Sequence, residues 1–162
     1  MSYLIIIRGS LGVGKTTIAK KLARKLKGQY FSTDKILEKY KLGYEIEGGN
    51  IAQKSFLKTN EILAPQAKKV LENNKPVIFD GNFYWPSHIE DLIHRLKVKY
   101  YIFDLRAPLD ICIQRDKKRE KTYGLEAAKS VHKRSTNLNC GKIIDATQEK
   151  DSIVNKIISL LK

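Results

Sequence analysis

Hydrophobic positions fall in short blocks along this chain, and their spacing changes from one block to the next. Residues 3–7 form a continuous apolar run, the pattern of a strand buried on both faces. From Lys15 the apolar positions are Ile18, Ala19, Leu22, Ala23 and Leu26, a helical spacing with Lys and Arg on the opposite face. Gly28 ends that helix, and "QYFS" (29–32) predicts a second strand followed by a short helix over 34–40. The glycine-rich "KLGYEIEGGN" predicts a loop, and residues 51–73 a helix that Pro65 kinks or splits. "PVIF" gives a third strand ending at Asp80, and Pro86 opens a helix whose inner face is Ile89, Leu92, Ile93 and Leu96. "VKYYIFDL" gives the fourth strand, and Leu109, Cys112 and Ile113 begin a helix running into the charged "QRDKKREK". A helix follows on Leu125, Ala128 and Val131. "KIID" is the fifth strand, and an amphipathic helix closes the chain with Ile153, Val154, Ile157, Ile158 and Leu161.

Strands that alternate with helices predict one α/β domain over residues 1–162, a parallel sheet with helices on both faces. The 162 residues suit one domain with a real core, and no apolar run approaches the roughly 18 residues of a membrane helix. The first apolar run is also too short for a signal-peptide core. Two cysteines, Cys112 and Cys140, make neither a disulfide framework nor a metal site, so a cytoplasmic protein is expected. The net charge of +14 changes the picture more. It points either to a polyanionic partner such as RNA, DNA or nucleotides, or to a general abundance of lysine.

Residues 9–16 read G-x-x-x-x-G-K-[ST], the phosphate-binding loop, placed between a buried strand and an amphipathic helix. Successive backbone N–H groups must point inward at phosphate oxygens, which needs glycine at the tight positions, and the following helix adds its positive end. The expected nucleotide-binding residues are Gly9, Ser10, Leu11, Gly12, Val13, Gly14, Lys15, Thr16 and Thr17. Lys15 would reach the β- and γ-phosphates of ATP, and the Thr16 hydroxyl would coordinate Mg²⁺. The Asn-Lys-x-Asp segment of a GTPase and a transporter signature are both absent, and a compact kinase remains.

The series "GSLGVGKTT", "FSTD", "VIFDGN", "FDLRAPLDICIQRDKKRE" and "KIIDAT" resembles the small P-loop kinases. The nearest pattern is the group of polynucleotide 5′-hydroxyl kinases, chloramphenicol phosphotransferase-like and zeta-toxin-like enzymes, with gluconate and shikimate kinases further off. That resemblance implies a single P-loop NTPase domain, a five-stranded sheet in the order 2-3-1-4-5, and a lid at about residues 115–124. It also implies a carboxylate at Asp34 that orients and deprotonates the attacking hydroxyl, a role favoured over, and compatible with, capping the helix that follows. Arg115 and Arg119, four residues apart and so on one helical face, would be lid arginines that stabilise charge on the transferred phosphoryl group, or else part of a solvated face. A carboxylate ending a strand beside the loop commonly holds Mg²⁺. Asp80 and Asp104 both fit, and the resemblance favours Asp80.

Asn82 and the aromatics Phe83, Tyr84 and Trp85 could contact an acceptor or simply pack. His88, His94 and His132 show no metal-ligand spacing. Two classes of function follow. One is an ATP-dependent kinase whose acceptor hydroxyl belongs to a nucleotide, an RNA or DNA 5′ end, or a small molecule of the gluconate or shikimate type. The other is a nucleotide-dependent nucleic-acid-binding module without chemistry.

Overall fold

In the computed structural model, which describes residues 1–119 and 123–162, the first strand β1 (Leu4–Gly9) is buried along its whole length. Its side chains alternate between two cores, Ile5 and Ile7 facing one and Leu4 and Ile6 the other, which is why an unbroken apolar run codes for it. Helix α1 (Lys15–Lys25) lays Ile18, Ala19 and Leu22 on the Ile5 side. Strand β2 (Gln29–Ser32) and helix α2 (Thr33–Lys39) follow, with Ser32 as the cap: its Oγ accepts from the Lys35 N–H at 3.2 Å.

The segment expected to be a loop holds a small hairpin, β3 (Ile46–Glu47) and β4 (Asn50–Ile51). Gly48 and Gly49 form its turn at φ 56° and 81°, values that suit a two-residue hairpin turn and that side chains resist. Helix α3 (Gln53–Glu72) is continuous, and Pro65 does not split it. Leu63, Ala64, Ala67 and Leu71 dock on the same core on both sides of the proline, and this packing overrides its local cost.

Strand β5 (Val77–Asp80), helix α4 (Pro86–Leu96), strand β6 (Tyr100–Arg106) and helix α5 (Leu109–Lys117) come next. Helix α6 (Leu125–Asn137), strand β7 (Lys142–Asp145) and helix α7 (Lys150–Ser159) complete the chain. Helix α5 stops at Lys117, so Lys118 and Arg119 of the charged run do not continue the helix as the sequence suggested. Among the described residues no helix is long and apolar enough to cross a membrane.

The main sheet is parallel, in the order β2-β5-β1-β6-β7. Counted among its five strands alone this is the expected 2-3-1-4-5; the unexpected hairpin only moves the labels. Core side chains fill both faces: α1, α7 and Cys112 of α5 on one, α3 and α4 on the other. A third, smaller cluster of Leu11, Leu37, Phe56, Tyr84 and Val131 lies outside the sheet.

The chain order reverses around β1, which has β5 on one side and β6 on the other. In open α/β sheets such a point, at the carboxyl ends of the strands, leaves a crevice for a ligand. Here that edge gathers the loop after β1, Asp34 two residues after β2, Asp80 at the end of β5 and the turn after β7.

Candidate active site

Between β1 and α1 the chain bends through Gly12 at φ 76° and Gly14 at φ 104°, both in the left-handed region. Gly12 has a second reason to lack a side chain. A Cβ there would sit 2.2 Å from the Cys112 carbonyl oxygen, so α5 packs directly against the loop. Gly14 caps α1 with no side-chain partner for the free N–H groups of the first turn, which leaves that turn available to an anion.

Lys15 is buried, and its Nζ donates to the Ser10 carbonyl at 2.7 Å across the loop. Burial lowers its pKa, while the Asp80 and Asp34 carboxylates oppose that shift. Thr16 Oγ1 donates to Asp80 Oδ2 at 2.7 Å, and the Tyr30 hydroxyl donates to the same oxygen at 2.8 Å. Burial, followed by the Asp80 charge, raises the Tyr30 pKa and keeps this hydroxyl a donor. A hydroxyl and a carboxylate are hard oxygen donors of the kind that suit Mg²⁺ once water and phosphate oxygens complete its shell. Among the described residues no three His, Cys, Asp or Glu side chains could hold a metal unaided.

Asp104, the alternative to Asp80, is engaged elsewhere. It lies in register with Arg8 and pairs with that guanidinium at 2.8 Å, with both side chains buried, and Arg106 reaches it at 2.8 Å as well. Arg8 also donates to the carbonyls of Phe83 at 3.1 Å and Ser135 at 2.9 Å. The pair ties the sheet to the end of α6.

Two cavities open at the carboxyl edge. The first, about 730 Å³, runs along the loop and is bordered by Arg115, Lys118, Arg119, the turn after β7 from Ala146 to Glu149 and Lys150 at the start of α7. Arg115 donates to the Val13 carbonyl at 3.3 Å and the Ala146 carbonyl at 3.0 Å, joining the loop to that turn. Arg119 lies beyond the end of α5, so the two arginines do not share a helical face, but both border this cavity.

The second cavity, about 690 Å³, lies between α2, the hairpin and α6. Among the described residues only Leu11 and Asp34 border both. Burial raises the Asp34 pKa above its ordinary value, with Lys15 acting against the shift. Since Ser32 caps α2, Asp34 is left facing the cavities.

Asn82 and Tyr84 border the second cavity. Phe83 is buried in the core, and Trp85 supports the cavity wall from behind: its indole donates to the Ile51 carbonyl at 2.8 Å. Arg134 stacks on Trp85 at 4.2 Å and donates to Asn50 Oδ1 at 2.7 Å and the Gly48 carbonyl at 3.0 Å, clamping the hairpin to α6. His88 is enclosed between Phe83 and Phe56, with ring centroids 4.0 and 4.7 Å away, while His94 is exposed and His132 contacts the Ala107 carbonyl. Of the expected lid, residues 120–122 lie outside the described residues.

Sequence reasoning missed the turn after β7 and the hairpin with its clamp. The "KIIDAT" string pointed to the first without naming a role for it, and the Gly48-Gly49 pair was the available signal for the second.

A glycine-bent loop between a central parallel strand and a helix, with a lysine and a hydroxyl–carboxylate pair beside it, defines a P-loop fold of the small-kinase type. The chain belongs to the AAA_33 family, whose model, described as an AAA domain, matches residues 4–137. No curated protein matches the chain. Among solved structures it is similar to a sugar kinase from Janibacter sp. HTCC2649, with TM-score 0.79, 14% identity, and 98% of this chain and 94% of that one covered. A gluconokinase from Sinorhizobium meliloti 1021 matches at TM-score 0.70 and 12% identity, covering 96% of this chain and 89% of its own. The tunicamycin resistance protein of Deinococcus radiodurans matches at TM-score 0.69 and 21% identity, covering 98% and 95%. At these identities the likeness is one of fold.

Proposed function

We propose that the protein is an ATP-dependent kinase that transfers the γ-phosphoryl group to the hydroxyl of a separate acceptor. The observation that carries this reading is the position of Asp34, on the wall shared by a cation-lined cleft beside the phosphate loop and a second chamber. In this reading the triphosphate of ATP lies in the cleft, held by the loop's N–H groups, the start of α1 and Lys15. Lys15 exchanges its Ser10 carbonyl partner for phosphate oxygens.

Thr16 and Asp80 would hold Mg²⁺, which supplies neutralising charge at the β- and γ-phosphates when bound. An acceptor hydroxyl in the second chamber meets Asp34. Its oxygen forms the new O–P bond as the bond from the γ-phosphorus to the β–γ bridging oxygen breaks. ADP leaves with that electron pair, and the acceptor proton passes to the Asp34 carboxylate and then to water. Arg119, at the cleft edge, and Arg115, which braces the loop, stabilise charge on the moving group. Residues 115–124 act as the lid that excludes water.

The test is Lys15→Ala, with ATP turnover and thermal unfolding measured together. Transfer should fall at least a hundredfold, the scale of losing one positioned electrostatic group, while the unfolding transition stays cooperative. Activity within tenfold of the parent would refute the assignment of the loop as the phosphoryl-transfer site.

A further inference from the structure

Asp80 receives two hydrogen bonds, and both land on the same oxygen. Thr16 Oγ1 and the Tyr30 hydroxyl donate to Oδ2 at 2.7 and 2.8 Å, while no described residue donates to Oδ1. A carboxylate oxygen has about two lone-pair sites, so these donors fill Oδ2 and leave Oδ1 as the oxygen available to a ligand. The Thr16 hydroxyl belongs to the phosphate-loop motif. The phenol does not, and nothing in that motif asks for a tyrosine at position 30.

Tyr30 reaches Asp80 from the neighbouring strand. β2 and β5 run parallel, with Tyr30 beside Ile78 and Ser32 beside Asp80. Side chains alternate along β2: Phe31 turns to one core, and the Tyr30 ring packs against the other, which contains Ile18 and Leu22. Lys20 and Lys35 hold their ammonium groups 5.6 and 5.9 Å from the ring centroid. A ring held on these sides delivers its hydroxyl with little freedom. Burial and the Asp80 charge keep the phenol protonated, against the smaller opposing effect of the Ser32 and Thr16 hydroxyls, so it serves as a donor at neutral pH. Phenylalanine would fill the same core space; only the hydroxyl reaches Asp80.

We propose that Tyr30 is a positioning residue for the divalent cation that accompanies the nucleotide: its hydroxyl pins Asp80 by Oδ2 and so reserves Oδ1 for the cation or a water that the cation carries. The proposal rests on the reading of Thr16 and Asp80 as the Mg²⁺ side of the kinase site. Without the phenol, the carboxylate can turn about its terminal torsion, whose energy well is broad, and the Thr16 proton can pass between its two oxygens. The order that Tyr30 supplies in advance would then have to come from cation binding itself, which weakens it.

The test is calorimetric titration of the full chain with the non-hydrolysable ATP analogue that carries an imido group between the β- and γ-phosphorus. Parent and Tyr30→Phe are each titrated in Mg²⁺ and in a chelator. The substitution keeps the ring, its packing and both lysine contacts, and removes only the hydroxyl. Mg²⁺ should tighten binding to the parent by about tenfold or more. Tyr30→Phe should cut that gain by about threefold or more, below the roughly 10- to 100-fold typical of groups hydrogen-bonded to direct metal ligands, because Asp80 can act through water. Affinity in the chelator should stay within about twofold, a split between the two conditions that a loss of packing alone would not produce. A smaller cut, or an equal loss with and without Mg²⁺, overturns the proposal, as does a parent that gains nothing from Mg²⁺. No acceptor is present in this experiment. Failure of the kinase reading would show separately, as the absence of Lys15-dependent transfer.

Discussion

Two buried titratable residues set how this protein should respond to pH. Burial raises the Asp34 pKa, so the folded state holds this proton more tightly than the unfolded chain does. The resulting stability is fully present below the ordinary value of 3.8 and is lost as pH rises through the raised one. At neutral pH the ionised carboxylate therefore costs stability. Asp34→Asn should unfold at an equal or higher temperature than the parent while kcat falls by about 10² or more, the scale of a lost general base. The parent's kcat profile should show an acid limb above 3.8 that the variant lacks.

His88 shifts the other way. Fully buried between two phenyl rings, with no partner on either nitrogen among the described residues, it is held neutral with its pKa lowered to about 3. A depressed basic group contributes stability above its unfolded value of 6.5 that is lost as pH falls towards 3. Denaturant unfolding between pH 7 and 4 should lose up to about 1.4 kcal/mol per pH unit to this residue. His88→Phe should flatten that slope; an unchanged slope would show that other groups carry it. Sequence alone could identify the loop residues, because eight contiguous positions encode one local bend. It left Asp80 and Asp104 open, because both end apolar strands. Only the cross-strand register shows that Arg8 neutralises one of them, while Thr16 and Tyr30 converge on the other.

The central strands of the sheet were readable because β1 and β5 are short, buried along their whole length and bounded by turn residues. What escaped was set by tertiary packing. The β3–β4 hairpin has only two residues per strand, too few to show a period, and it is held in place by Arg134 and Trp85 from distant parts of the chain. Helix α3 passes through Pro65 because its buried face is long enough to hold both halves. The contact between the loop and α5 was equally hidden. With a Cβ added at Gly12 falling 2.2 Å from the Cys112 carbonyl oxygen and the residue already at φ 76°, Gly12→Ala must push the helix away or unwind the loop. The expected loss is about 2–4 kcal/mol, combining overpacking with a strained dihedral. Nucleotide affinity should fall with it, because Arg115 on the same helix braces the Val13 and Ala146 carbonyls. Gly14→Ala separates the two effects: nothing lies within 4 Å of its Cβ position, so only the dihedral strain at φ 104° applies. Thermal unfolding and ATP titration of both variants should place Gly12→Ala well below Gly14→Ala.

At the scale of the whole molecule, the sheet brings five strand ends to one edge, and the chain's functional candidates collect there although they lie more than a hundred residues apart in sequence. Positive charge is concentrated around the loop, where Lys15, Arg115, Lys118 and Arg119 border the cleft. The shared wall at Leu11 and Asp34 bears on the kinetics expected of the proposed kinase. On the proposed reading, in which ATP and the acceptor lie in separate cavities that meet at a carboxylate, both must be present together, and no phosphorylated form of the protein should accumulate between half-reactions. Double-reciprocal plots of velocity against ATP at several acceptor concentrations should therefore intersect rather than run parallel. A single ligand that joins adenosine to an acceptor through a short polyphosphate bridge should occupy both cavities at once. It should bind more tightly than either half, with a gain that depends on bridge length, and it should compete with each substrate in turn.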